Sequence, residues 1–191
     1  MDITKSPILF ISGNKGKIAE FTNILSPIKI LTDDIDLPEI QSTSVEKVVY
    51  EKVKYAWEKF KKPLFIEDTG LFIVDAPMNG FPGALIKYYF KHLSCNGICL
   101  KNGGNNAYAE TIIGYHDGNK IHIFKGVIYG SIAITPKYGD YGFGWDPVFI
   151  PNRNNPDRLS FAQMKPEIKN NISMRKIAGE EFKKYLENIE L

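Results

Sequence analysis

Glu67 and Asp68 stand side by side at the end of the apolar run Leu64-Phe65-Ile66 and are followed by Thr69-Gly70. Neighbouring strand residues point to opposite faces of a sheet, so the two carboxylates are expected to do different jobs. Hard carboxylate oxygens suit Mg²⁺, which takes one or two of them and fills its shell with water and phosphate oxygens. Glu39, after Leu37-Pro38, is a second candidate ligand, although a solvated loop acid looks the same in sequence. Ser12-Gly13-Asn14-Lys15-Gly16-Lys17 places small residues, backbone amides and lysines where a helix is expected to begin. The helix dipole and its unpaired N–H groups favour an anion such as phosphate there. The pattern is not a P-loop, since its two glycines are too close and no Ser or Thr follows Lys17. A plain structural cap remains the alternative.

Tyr141-Gly142-Phe143-Gly144-Trp145-Asp146-Pro147 sets flat rings on a glycine-rich backbone beside one carboxylate. That suits a planar base held by stacking and edge hydrogen bonds, with a packed turn as the bland alternative. Lys169, Ser173, Met174 and Arg175 fall at the start of the last helical stretch, where Ser173 can cap and Arg175 can reach a ligand oxygen. His92, His116 and His122 are scattered, and Cys95 and Cys99 are the only cysteines, so neither a zinc site nor a disulfide framework is expected. His122, between Ile121 and Ile123, reads as a strand residue facing solvent.

Positioning these groups requires alternating elements. An apolar strand over residues 8–11 leads through the glycine turn into a helix over 15–25, with Ile18, Phe21, Ile24 and Leu25 on one face. A short strand over 29–32 follows, then a helix capped by Ser44 and running to about Lys61, with Val45, Val48, Val49, Val53, Ala56 and Phe60 inward. Residues 64–66 and 71–74 read as strand on either side of the polar Glu67-Asp68 interruption. Gly80-Phe81-Pro82-Gly83 is a loop before a helix over 84–93. Residues 107–115 and 120–134 alternate about Asp117-Gly118-Asn119 as a long hairpin. Residues 135–159 read as one long functional loop, and a helix closes the chain over 172–188.

With 191 residues, 43% hydrophobic and 24% charged, the chain has the composition of a single folded domain, and no repeat or linker divides residues 1–191. The net charge of +2 and the absence of a basic face interleaved with aromatics leave no case for a nucleic-acid partner. Residues 1–7 lead into an apolar run too short for a membrane span or a signal-peptide core, which makes the cytoplasm the expected compartment.

Taken together and in order, these segments resemble the inosine triphosphate pyrophosphatases. The matching stretches are Ser12 to Lys17 with Glu20, Leu37-Pro38-Glu39, Glu67 to Leu71, Gly80 to Gly83, Phe143 to Pro147, Ser160-Phe161-Ala162-Gln163-Met164, and Ser173-Met174-Arg175. The resemblance implies an α/β fold of two lobes around a long mixed sheet with flanking helices, the nucleotide in the cleft, and a homodimer. It implies Mg²⁺-dependent hydrolysis of ITP, dITP and XTP to monophosphate and pyrophosphate, by water attacking the α-phosphorus. Carried over position by position, Ser12, Gly13, Asn14, Lys15, Gly16, Lys17, Lys52, Thr69 and Lys87 hold the triphosphate. Glu39 and Asp68 hold Mg²⁺, Asp68 also orients or deprotonates the water, and Glu67 supports it. Phe143, Gly144, Trp145, Asp146, Lys169, Met174 and Arg175 form the purine pocket.

One departure stands out, because the family has Ser-His-Arg where this chain has Ser173-Met174-Arg175. Methionine cannot replace an imidazole donor, although its thioether can pack on a base. The rival readings are a Maf-like pyrophosphatase of other base specificity and a non-catalytic nucleotide-binding protein. The aromatic loop with Arg175 argues against the first, and the full set of acids and lysines against the second.

Overall fold

A computed structural model describes residues 7–75 and 77–189; the opening stretch 1–6 lies outside them. No helix among the described residues is long and apolar enough to cross a membrane. The chain enters as β1 (Ile8–Ile11), buried throughout, and turns into α1 (Lys15–Leu25). Asn14 starts that helix by accepting a hydrogen bond from the Lys17 amide, while Phe21, Ile24 and Leu25 make its inner face. β2 (Ile30–Asp33) lies parallel to β1. α2 (Val45–Phe60) is capped by Ser44, buries the expected valine stripe and stops at Lys61 in the left-handed conformation.

β3 (Leu64–Ile73) is one continuous strand, not two pieces parted by Glu67-Asp68. Lysine and arginine side chains neutralise both acids inside the fold, so the strand has no need to open to water around them. β4 (Pro82–Gly83) pairs with β3, and α3 (Ile86–Asn102) follows. That helix outruns the expected 84–93 because a kink at Ser94 (φ 57°) re-aims it, letting Cys95, Ile98, Cys99 and Asn102 form a second buried stripe.

β5 (Asn106–His116) and β6 (Ile121–Ile132) form the expected hairpin. His122 does not face solvent from it: its Nε2 lies 2.7 Å from Asp117 Oδ2 and 2.9 Å from the Tyr185 hydroxyl. The stretch 135–159 is not all loop, since it contains a 3₁₀ turn (Asp146–Val148) and β7 (Phe149–Pro151), which pairs with the end of β6. The closing helix is divided at Ser173 into α4 (Pro166–Ile172) and α5 (Met174–Asn188).

The strands form one mixed sheet in the order β2-β1-β3-β5-β6-β7, parallel among β1, β2 and β3 and antiparallel from β3 onward. α1 and α5 cover one face through Phe10, Phe21, Phe65 and Phe182, and α2 covers the other through Val45, Val49, Leu64 and Ile66. A third core joins α3 to the far half of β5 and β6 and to β7 through Ile98, Ile128, Phe149 and Phe161. The chain is thus α/β, with a helix-covered half and a second half built around β7, and β3 crossing between them.

Candidate active site

Alternation along β3 sorts the two acids. Glu67 is opposite Ile113, whose side chain belongs to the core under α1 and α5, while Asp68 is opposite Ile112, which packs with α2. On the first face Arg175, the second residue of α5, sends Nη2 to Glu67 Oε1 at 3.1 Å and Nη1 to Glu20 Oε2 at 2.6 Å. The Thr69 hydroxyl, two residues along the same face, donates to Glu67 Oε1 at 2.6 Å. Burial pushes the Glu67 carboxyl up, but Arg175 and Lys17 outweigh it and hold its pKa at about 2 instead of 4.5. Arg175 is likewise desolvated and yet held above its ordinary value by Glu67 and Glu20.

On the second face Lys52, reaching from α2, donates to Asp68 Oδ2 at 2.9 Å and pairs with Glu39. Burial lowers the Lys52 pKa, and the two carboxylates together raise it above its usual value. Lys17, from the first turn of α1, bridges the faces, with Nζ 2.8 Å from Glu67 Oε2 and 3.8 Å from Asp68 Oδ1.

These groups border a cavity of about 390 Å³ lined by Ser12, Gly13, Asn14, Lys17, Glu39, Lys52, Asp68, Thr69 and Lys87. It adjoins a second cavity of about 240 Å³, which shares Asn14, Lys17, Asp68, Thr69 and Lys87 and continues to Phe90, Phe143, Gly144, Trp145, Asp146, Lys169, Met174 and Arg175. The second one is shaped by a buried ion pair, with Lys169 Nζ 2.6 Å from Asp146 Oδ2 and 4.9 Å from the centre of the Phe143 ring. The same Asp146 oxygen accepts the Phe143 amide at 2.8 Å. Gly142 (φ 84°) lets the loop close on it, since a Cβ there would come within 2.6 Å of Asp146 Oδ2. Met174, 3% exposed, closes the floor. A larger groove of about 440 Å³ on the outside of α2 has Glu51 and Glu58 as its acids, each spent on a lysine one helical turn away, and none of the paired groups above.

Of the site residues expected from sequence, all but two line one of the two adjoining cavities. Gly16 lies behind them, where a Cβ would touch the Phe143 ring at 3.2 Å, and the exposed Lys15 lines neither. Arg175 lines the second cavity, but Glu67, Glu20 and Thr69 engage its guanidinium. The motifs assigned no role to Phe90 or Glu20; Glu20 follows Lys17 by three residues, which puts both on one face of α1.

Among the described residues no group of three or more His, Cys, Asp or Glu side chains is set to hold a metal. The donor chemistry nevertheless fits Mg²⁺, because Glu39 and Asp68 converge on one Lys52 ammonium and a phosphate-rich substrate supplies further oxygens.

The sequence profile of the Ham1 family matches residues 8–185. The chain belongs to the Ham1 family. This Ham1 chain is 37% identical over 187 residues to an inosine triphosphate pyrophosphatase of Schizosaccharomyces pombe, covering 95% of each. It is 38% identical over 187 residues to a dITP/XTP pyrophosphatase of Methanopyrus kandleri, covering 95% of this chain and 96% of that one. The structure superposes on a Ham1 protein from Coxiella burnetii with a TM-score of 0.76 at 25% identity, covering 95% of this chain and 98% of that one. The Ham1 fold is therefore shared over nearly the full length, and the motifs from Ser12 to Arg175 lie inside the matched region.

Proposed function

We propose that the protein is a Mg²⁺-dependent pyrophosphatase that hydrolyses ITP, dITP and XTP to the monophosphate and pyrophosphate. The observation that carries this reading is the pair of adjoining cavities: one is charged, the other is walled by rings, and Asp68 and Lys17 stand at their junction. The names of the relatives point to the same substrates.

In this reading Lys17, Lys52 and Lys87 replace the solvent lost by the triphosphate, with Ser12 and Asn14 hydrogen-bonding its oxygens and Thr69 lining the same cavity while its hydroxyl serves Glu67. Gly13 contributes through its backbone at the entry to α1, where amides favour an anion, while Lys15 and Gly16, outside both cavities, serve the turn itself. Glu39 and Asp68 would hold Mg²⁺, which when bound neutralises phosphate charge and fixes the substrate. Asp68, whose side chain is 22% exposed, would orient the water and take its proton. Phosphoryl chemistry needs mainly positioning and charge neutralisation, and these residues offer both.

The purine lies against Phe143 and Trp145 on the Gly144 backbone, with Met174 below it. Lys169 spends one donor on Asp146 and can offer another to a 6-keto oxygen. The 6-amino group of adenine presents hydrogens to that donor and leaves it unpaired, a mismatch that discriminates strongly. A homodimer, to which the exposed Leu100, Tyr129 and Ile134 lend apolar surface, and a cytoplasmic location complete the proposal. Pyrophosphate release with Mg²⁺ from ITP, XTP, GTP, ATP and CTP in parallel tests it. ITP and XTP are expected to lead by a wide margin, and orthophosphate release or no preference among bases would favour the Maf-like alternative.

A further inference from the structure

Glu67 is a carboxylate at the centre of the site with no direct access to it. The residue is 5% exposed while its side chain is 0% exposed, so it meets the phosphate cavity through its backbone. Oε1 is fully engaged, accepting from the Thr69 hydroxyl at 2.6 Å and from Arg175 Nη2 and Nε at 3.1 and 3.3 Å. Oε2 makes no aligned hydrogen bond among the described residues, and what it faces is the Lys17 ammonium at 2.8 Å. Lys17 also donates to the Glu67 carbonyl oxygen at 3.4 Å. The helix that carries Lys17 holds the other end of the clamp as well, because Glu20 of α1 takes Arg175 Nη1 at 2.6 Å.

We propose that Glu67 is a positioning residue that acts through Lys17: clamped by Arg175 and Thr69, it sets the Lys17 ammonium at the junction of the two cavities before a triphosphate arrives. The proposal rests on the pyrophosphatase reading of the site. Lysine is a point charge on a flexible four-carbon stem, and an immobile buried anion is an effective way to fix where that charge sits. Glu67 is then neither the proton acceptor nor a metal ligand, since Oε1 is taken and Oε2 points at Lys17. Its charge also tempers Lys17, so that the ammonium does not hold the ground-state triphosphate in an unproductive place.

The test compares wild type, Glu67→Gln, Lys17→Met and their double variant, with Thr69→Val as a milder loosening of the clamp. Each is assayed on ITP for kcat, KM, the Mg²⁺ concentration giving half activation, and melting temperature. Glu67→Gln is expected to lower kcat by about thirtyfold while KM holds or falls and the Mg²⁺ requirement stays put. Lys17→Met, which alone costs about as much, adds less than about threefold in the Glu67→Gln background because the two act as a unit. Thr69→Val lowers kcat by about threefold with KM held, and it supplies the cycle with Lys17→Met if Glu67→Gln does not fold. An unchanged kcat, additive losses, or a higher Mg²⁺ requirement in Glu67→Gln would overturn the assignment. Wild type releasing no pyrophosphate from ITP or XTP would instead overturn the pyrophosphatase reading beneath it.

Discussion

Glu67 and Asp68 are consecutive residues of β3, one sealed beneath α5 with a side chain 0% exposed and the other 22% exposed and lining the larger of the two adjoining cavities. Both are ion-paired, but the partners differ in kind. Arg175, 3% exposed, is held on both sides by Glu67 and Glu20, and moving it would strand a buried charge. Lys52 and Glu39, the partners on the Asp68 side, are 14% and 31% exposed and remain in reach of water. Solvent access therefore separates a carboxylate that faces a cavity from one that serves as fixed scaffolding. The strand's alternation places a partly exposed charge network and a buried one a single residue apart.

The sharpest way to break this contrast is Asp68→Asn. It is expected to cost about a thousandfold in kcat, the scale of losing a general base, while denaturant unfolding shifts by less than about 1 kcal/mol. Arg175→Met should behave in the opposite sense, lowering stability by about 3 kcal/mol in the same unfolding experiment, because it leaves Glu67 buried without its main partner. Acid titration probes the same face. The folded pKa of Glu67, about 2, lies below its ordinary 4.5, so its stabilisation is complete above about pH 4.5 and is lost as pH falls towards 2. Thermal melts of Glu67→Gln should accordingly lose part of the wild-type pH dependence in that window. The smallest effect is expected at the floor of the base cavity, where Met174→His restores a donor and should raise the ITP-to-GTP ratio of kcat/KM by a few-fold. An unchanged ratio would mean that residue 174 does not touch the base.

How much of this was readable in the sequence follows the range of the interactions. α1 after its glycine turn, α2 with its Ser44 cap, and the β5–β6 hairpin were legible because their signals are local: a turn or capping residue, an apolar period and an Asp-Gly-Asn turn. β3 looked interrupted because the charges that let Glu67 and Asp68 stay in a buried strand come from Lys17, Lys52 and Arg175, up to 108 residues away. The second half of α3 was hidden by a kink at Ser94, a residue type that gives no warning of a positive φ. β7 is three residues long and ends in proline, so only its pairing with β6 reveals it. His122 looked solvent-facing because Tyr185, which covers it, belongs to the last helix. Most candidate site residues were legible from their motifs, whereas their division between two cavities and the clamp on Glu67 are properties of packing.

The most direct test of the account is hydrolysis of ITP in oxygen-labelled water, with the label followed into both products. Attack of water on the phosphate next to the nucleoside, with Asp68 at the junction of the cavities as its base, predicts label in the inosine monophosphate and none in the pyrophosphate, with turnover nearly abolished in Asp68→Asn. Label in the pyrophosphate, or an Asp68→Asn variant that turns over normally, would contradict it.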